Sequence, residues 1–97
     1  MKLLTKGILN AFEKVGSQEE VKDPVVIAKF FTPWANWTWF ATEYDPENKI
    51  FFGMVHGFEK EWGYFSLEEL EKVKGPFRLG IERDLSFDPV GYSEVAA

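Results

Sequence analysis

Along the first fifteen residues the apolar positions return every three or four places. Leu4, Ile8, Phe12 and Val15 form one stripe, the spacing of a helix that lays one face on a core. Thr5 can cap its first turn and Gly16 can end it, so a helix is expected over 5–15. The run "GSQEEVKDP" has no period and reads as a loop or mobile connection closed by Pro24.

Beyond Pro24 the period becomes two. Residues 25–31, "VVIAKFF", are β-branched and aromatic and predict a first strand. Residues 36–44, "NWTWFATEY", predict a second, with Trp37, Trp39, Ala41 and Glu43 on one face and Thr38, Phe40, Thr42 and Tyr44 on the other. "DPEN" supplies a turn and residues 49–56, "KIFFGMVH", a third strand that closes a hairpin. Gly57 to Gly63 reads as an acidic connection, followed by a short fourth strand, "YFS".

Ser66 with Glu69 makes a capping box, and Phe65 with Leu70 occupies the positions of a hydrophobic staple. A second helix follows, turning Leu67, Leu70 and Val73 inward and stopping at Gly75 and Pro76. Residues 79–87, "LGIERDLSF", alternate Leu79, Ile81, Leu85 and Phe87 against Glu82, Asp84 and Ser86, the pattern of a half-buried strand. The order α-β-β-β-β-α-β predicts an α+β fold, a mainly antiparallel four- to five-stranded sheet packed with two helices. The last strand can pair either beyond the meander or beside its first strand.

Ninety-seven residues, 45 % hydrophobic and 28 % charged, fit one domain over 1–97. There is no cysteine, which removes disulfides, thiolate nucleophiles and Cys-based metal sites. No apolar run suits a signal peptide or a membrane span, so a cytoplasmic protein without a membrane role is expected. "NWT" at 36–38 matches a glycosylation acceptor in form only. Net charge is −5, and residues 59–72 and 82–94 each carry a local −3. Such faces repel phosphate backbones and attract basic proteins; their ordinary role is to keep a small domain soluble.

The aromatic stretch "FFTPWANWTWFATEYD" poses the question of a stacking platform, which would interleave rings with basic residues. No Lys or Arg lies between 30 and 48, so direct nucleic-acid binding is not expected. Alternation assigns Trp37 and Trp39 to the core. Trp34 and Trp62 fall in connections, where a tryptophan serves either as a lid on the core or as an anchor for a partner. His56, the one histidine, has no neighbouring pattern that names a nucleophile or an orienting group and reads as structural. No metal-ligand spacing and no phosphate loop is present, so neither metal nor cofactor is expected. Arg83 shares the inward alternation of Ile81 and Leu85 and therefore needs a partner, for which Glu43, on the face of Trp37 and Trp39, is the candidate.

The blocks "DPVVIAKFFTPWANWTWFATEYD", "FFGMVHG", "GYFSLEELEKVKGP" and "IERDLSFDP" resemble a family of small bacterial proteins catalogued as domain of unknown function 2958, the likeness running from about Leu3 to Pro89. The resemblance implies an intracellular protein often encoded on plasmids, phages and integrative elements, sometimes near antirestriction genes, and no established catalytic residues. It implies variation at "GFEKEWG" and after Pro89.

Two functions follow as expectations. The first is a non-enzymatic protein-binding module that inhibits a host-defence nuclease, of antirestriction or anti-CRISPR type, by binding a basic surface through Trp34, Glu59, Glu61, Trp62, Glu82 and Asp84. It would act as a monomer or small homo-oligomer. The second is a small accessory enzyme or ligand-binding protein using a groove around His56, Tyr44, Glu43 and Arg83.

Overall fold

In the computed structural model, which describes residues 1–96, the longest strand, Thr38–Asp45, falls in the stretch where β-branched and aromatic residues predict one. In chain order the elements are α1 (Lys6–Val15), β1 (Val25–Val26), β2 (Ala28–Phe31), β3 (Thr38–Asp45), β4 (Ile50–His56), β5 (Lys60–Ser66), α2 (Leu67–Lys72), β6 (Glu82–Arg83) and β7 (Val90–Gly91). Short 3-10 turns lie at Pro76–Arg78 and Tyr92–Glu94. The main sheet runs β5-β4-β3-β2-β6 with every neighbour antiparallel, and β1 pairs with β7 in a separate two-stranded sheet. This is the expected α+β fold, with the last main-sheet strand placed beside the first of the meander.

Both helix starts follow their caps. Thr5 Oγ1 accepts from Ile8 N at 3.2 Å and Ser66 Oγ from Glu69 N at 2.9 Å. Gly16, at φ 68, ends α1 in a conformation that costs other residues strain. α1 lies on one face of the sheet, called here the helix face. Phe12 meets Tyr44 and Phe51 there, and Phe51 continues the contacts to Phe30 and Phe65, with centroids 4.6 to 5.9 Å apart. Phe30 and Phe51 are fully buried, each such ring stabilising the fold by about 1.5–3 kcal/mol. The opposite face is covered by the C-terminal tail: Val26, Phe40 and Met54 are buried beneath Phe87, Tyr92 and Val95.

Several expectations need correction. The stretch 25–31 is two strands, because Ile27 N donates to Ala41 O at the point where β1 leaves the main sheet for β7. The connection expected at Gly57 to Gly63 is short, since Lys60 to Gly63 belong to β5 and pair with His56 to Gly53. The strand expected over 79–87 is confined to Glu82 and Arg83, leaving Leu85 70 % exposed. Val15 and Val73 are exposed rather than inward-facing.

The loop at 16–24 is also pinned. Gln18, 5 % exposed, donates through Nε2 to Val25 O and Thr42 O and accepts from Val25 N at 2.7 Å. Thr42 is the extra residue of a β-bulge between Ala41 and Glu43. Gln18 therefore satisfies the carbonyl that the bulge removes from the ladder, where a buried unpaired group would cost about 1–3 kcal/mol.

Candidate functional site

The bulge at Thr42 decides which side chains share a face. Before it, Trp39 and Ala41 lie on the helix face; after it, Tyr44 does, opposite Phe51, while Glu43 is opposite Phe52 on the tail face. The proposed Glu43–Arg83 pair is thus not formed. Arg83 is opposite Phe30 at the far edge, and its Nη1 donates to Lys2 O and Leu3 O. Phe30 is a helix-face residue, so Arg83 and Glu43 stand on opposite faces. An inward guanidinium is satisfied here by main-chain carbonyls instead of a carboxylate.

Nor do His56, Tyr44, Glu43 and Arg83 gather in one groove. His56 is opposite Thr38 and Glu43 opposite Phe52, four residues apart on β4 or about 13 Å. Tyr44 is turned into the core, where burial, with Asp45 and Glu71 adding to it, raises its pKa above the ordinary value of 10.0. His56 Nε2 lies 3.1 Å from Tyr92 Oη and its ring stands edge-on to Phe40 at 4.9 Å. Burial first, and the Lys60 ammonium second, hold its pKa below 6.5, so the ring is neutral at pH 7 and serves as a hydrogen-bonded packing group. Beside Trp37 an open groove of about 680 Å³ is lined in part by Lys29, Asp84 and Arg83. Lys29 Nζ and Asp84 Oδ2 pair at 3.4 Å across it. Among the described residues no three His, Asp or Glu side chains are placed to hold a metal ion, and no helix is long and apolar enough to cross a membrane.

The tryptophans separate into four environments. Trp39 packs on the helix-face core as expected. Trp37 does not enter the core: it precedes the first paired residue of β3, is half-buried, and lies tilted against Trp39 at 5.9 Å and over the backbone of Gly57, with Phe58 edge-on at 5.4 Å. Trp34 is a lid, its indole lying on Gly75 so closely that a Cβ there would overlap the ring. Trp62 is 43 % exposed on the tail face of β5, stacked on Phe52 with planes 9° apart and edge-on to Tyr92 at 4.9 Å.

Of the six residues expected to bind a partner, three come together. Glu59 in the β4–β5 turn, and Glu61 and Trp62 on β5, lie along one edge of the sheet. Glu82 and Asp84 lie at the opposite edge, four strand spacings or about 19 Å away, and Asp84 is already ion-paired. Trp34 is turned inward. Three residues not among those expectations stand out. Tyr64, beside Trp62 on β5, is 80 % exposed, and Phe58 and Phe77 are 95 % and 97 % exposed. Phe77 could have been found in the sequence, because Gly75-Pro76 and Gly80 bracket a turn too short to fold its tip back onto the core.

The architecture defines a class: a small α+β domain with one helix-covered and one tail-covered sheet face, an unpaired aromatic edge, and exposed rings on its turns. The chain belongs to the family described as "Protein of unknown function (DUF2958)", whose profile matches residues 3–94. No curated protein and no solved structure matches it.

Proposed function

We propose that the protein is a non-enzymatic protein-binding module that engages its partner along β5. The observation that carries this reading is the edge of a seven-residue strand that no other strand pairs with among the described residues and that also displays Trp62 and Tyr64. An extended segment of a partner would satisfy the free N–H and C=O groups of this edge as an added strand. Trp62 supplies ring area of the kind on which interface energy concentrates. Glu59 and Glu61 favour a segment carrying Lys or Arg. A partner with a basic surface fits this edge, with its contacts narrowed to the acids Glu59 and Glu61. The most specific form of the proposal is an inhibitor of a nucleic-acid-binding defence nuclease, encoded by a mobile element and acting in the cytoplasm. Its support is the small acidic chain, at net charge −5, and the family resemblance.

The test is affinity capture from a bacterium with intact restriction and CRISPR systems, using four baits in parallel. Wild type is expected to recover a nuclease or effector subunit, and Glu61→Lys and Trp62→Ala to lose it by about ten-fold, the loss of a typical interface contact of ~1.4 kcal/mol. Glu82→Lys should recover it unchanged. Equal loss with Glu82→Lys would place the contact elsewhere and end the β5 reading.

A further inference from the structure

At the end of the sheet where β3, β5 and β6 begin, three connections meet. They are residues 32–37 between β2 and β3, residues 57–59 between β4 and β5, and residues 73–81 between α2 and β6. The first holds the other two. The ring of Trp37 lies on Gly57 and that of Trp34 on Gly75, and these tryptophans are three positions apart, at most about 11 Å along the chain. Thr32 fixes the connection itself, donating through N to Trp37 O at 3.1 Å and accepting from Trp37 N at 3.2 Å.

Two phenyl rings project from the turns so held. Phe58 and Phe77 are 95 % and 97 % exposed. Phe77 is also strained: Phe77 and Arg78, at φ 56 and 61, occupy the left-handed region in succession, positions that mirror-image hairpin turns normally give to Gly, Asn or Asp. Leu79 N to Pro76 O, Gly75 N to Leu79 O and the Lys74–Gly80 bridge close that hairpin. The chain thus holds an apolar ring out in water in an unfavourable backbone conformation and, among the described residues, gives it no contact that offsets either cost.

We infer that this end is a self-association surface, occupied by a second copy of the same chain. The charges choose this occupant. The chain as a whole is at −5 and would repel itself, but here the signs balance: Glu71 and Glu82 share one cleft with Lys74 and Arg78, and Glu59 and Lys60 adjoin Phe58. A two-fold interface sets a patch against itself, so a patch with both signs is complementary to its own copy, whereas a uniformly charged partner surface meets repulsion from half of it. The area sets the strength. Two exposed phenyl rings offer about 300–400 Å², roughly half of the ~800 Å² per partner in a standard interface. Association is therefore weak and concentration-dependent. The surface adjoins the β5 edge at Glu59 and Lys60, while Trp62 and Tyr64, further along the strand, lie outside it.

The test is sedimentation equilibrium of the full chain from about 10 µM to 1 mM, a range that spans weak association. The weight-average mass is expected to rise toward twice that of the monomer. Phe58→Ser and Phe77→Ser should each move the midpoint at least ten-fold higher with unchanged far-UV circular dichroism, since the two side chains are 95 % and 97 % exposed and Phe58 gives up an edge contact with Trp37 outside the core. Tyr64→Ser should leave the midpoint in place. A monomer throughout the range overturns the inference. So does a dimer that survives both phenylalanine variants, or one that Tyr64→Ser dissolves, since it would be joined through β5.

Discussion

The two edges of the main sheet meet water differently. At β6 the paired strand is two residues long and the chain covers it: Arg83 N donates to Met1 Sδ, the Arg83 guanidinium holds the Lys2 and Leu3 carbonyls, and Lys29 pairs with Asp84 beside it. At β5 the paired strand is seven residues long and carries no proline; among the described residues its outer side pairs with no strand, and two aromatic residues stand exposed on it. Edge strands are normally shortened, covered or charged because they template unwanted pairing. One edge here is both shortened and covered; the other keeps only Lys60 and Glu61 at its start. The difference teaches where to look for a partner, since an edge left open in a chain that closes its other edge is available for one.

The largest expected effect comes from opening the closed edge. Arg83→Ala removes a charged donor to two main-chain carbonyls, about 1.5–3 kcal/mol, and loosens Leu3, which is 2 % exposed. A total loss near 3 kcal/mol is expected, read as a lower urea midpoint with unchanged slope. Arg83→Lys should recover less than half of it, because an ammonium lacks the fork that spans both carbonyls. A loss under about 0.5 kcal/mol for Arg83→Ala, the level of an ordinary surface substitution, would mean that the segment 1–3 does not seal β6.

At the open edge the corresponding change is smaller. Trp62→Ala removes the stack on Phe52 and the edge contact with Tyr92, pairs worth about 0.5–1.5 kcal/mol each beyond area, from a side chain already 43 % exposed. A loss of about 1–2 kcal/mol is expected. The thermal midpoint measures it, and a loss as large as that of Arg83→Ala would show that Trp62 is chiefly a core residue.

The two edges were also unequally legible in the sequence. Local chemistry marks the caps at Thr5 and Ser66 and the strands expected over 36–44 and 49–56, found at Thr38–Asp45 and Ile50–His56, because each depends on neighbours a few positions away. The bulge at Thr42 was invisible. It is maintained by Gln18, 24 residues upstream, and it sends Glu43 to the face opposite Trp39, which is why the proposed partnership with Arg83 fails. The start of β5 resembles a connection in sequence because Lys60, Glu61 and Gly63 carry no strand signal; pairing with β4 imposes the strand. The acids suggested one surface because sequence records charge without position, and only the strand order sends Glu61 and Asp84 to opposite edges.

The smallest expected effect tests the packing beneath the open edge. His56, on β4 opposite Lys60, is held neutral by burial under Tyr92, with its pKa below 6.5. The unfolded chain, whose histidine keeps the ordinary value, binds the proton first as pH falls. The stability this residue contributes is therefore complete above 6.5, declines as pH drops below that value, and levels once the folded ring is protonated too. Three carboxylates that accept hydrogen bonds, Asp23, Asp45 and Glu68, are lowered from 3.8, 3.8 and 4.5, so their contributions are lost only at lower pH. Urea unfolding at about pH 7.5 and pH 5.5, either side of the ordinary histidine value, separates the two. Wild type should lose more stability between these points than His56→Gln. Equal losses would mean that the ring is as well solvated in the folded protein as in the unfolded chain, and that the tail does not close this part of the sheet.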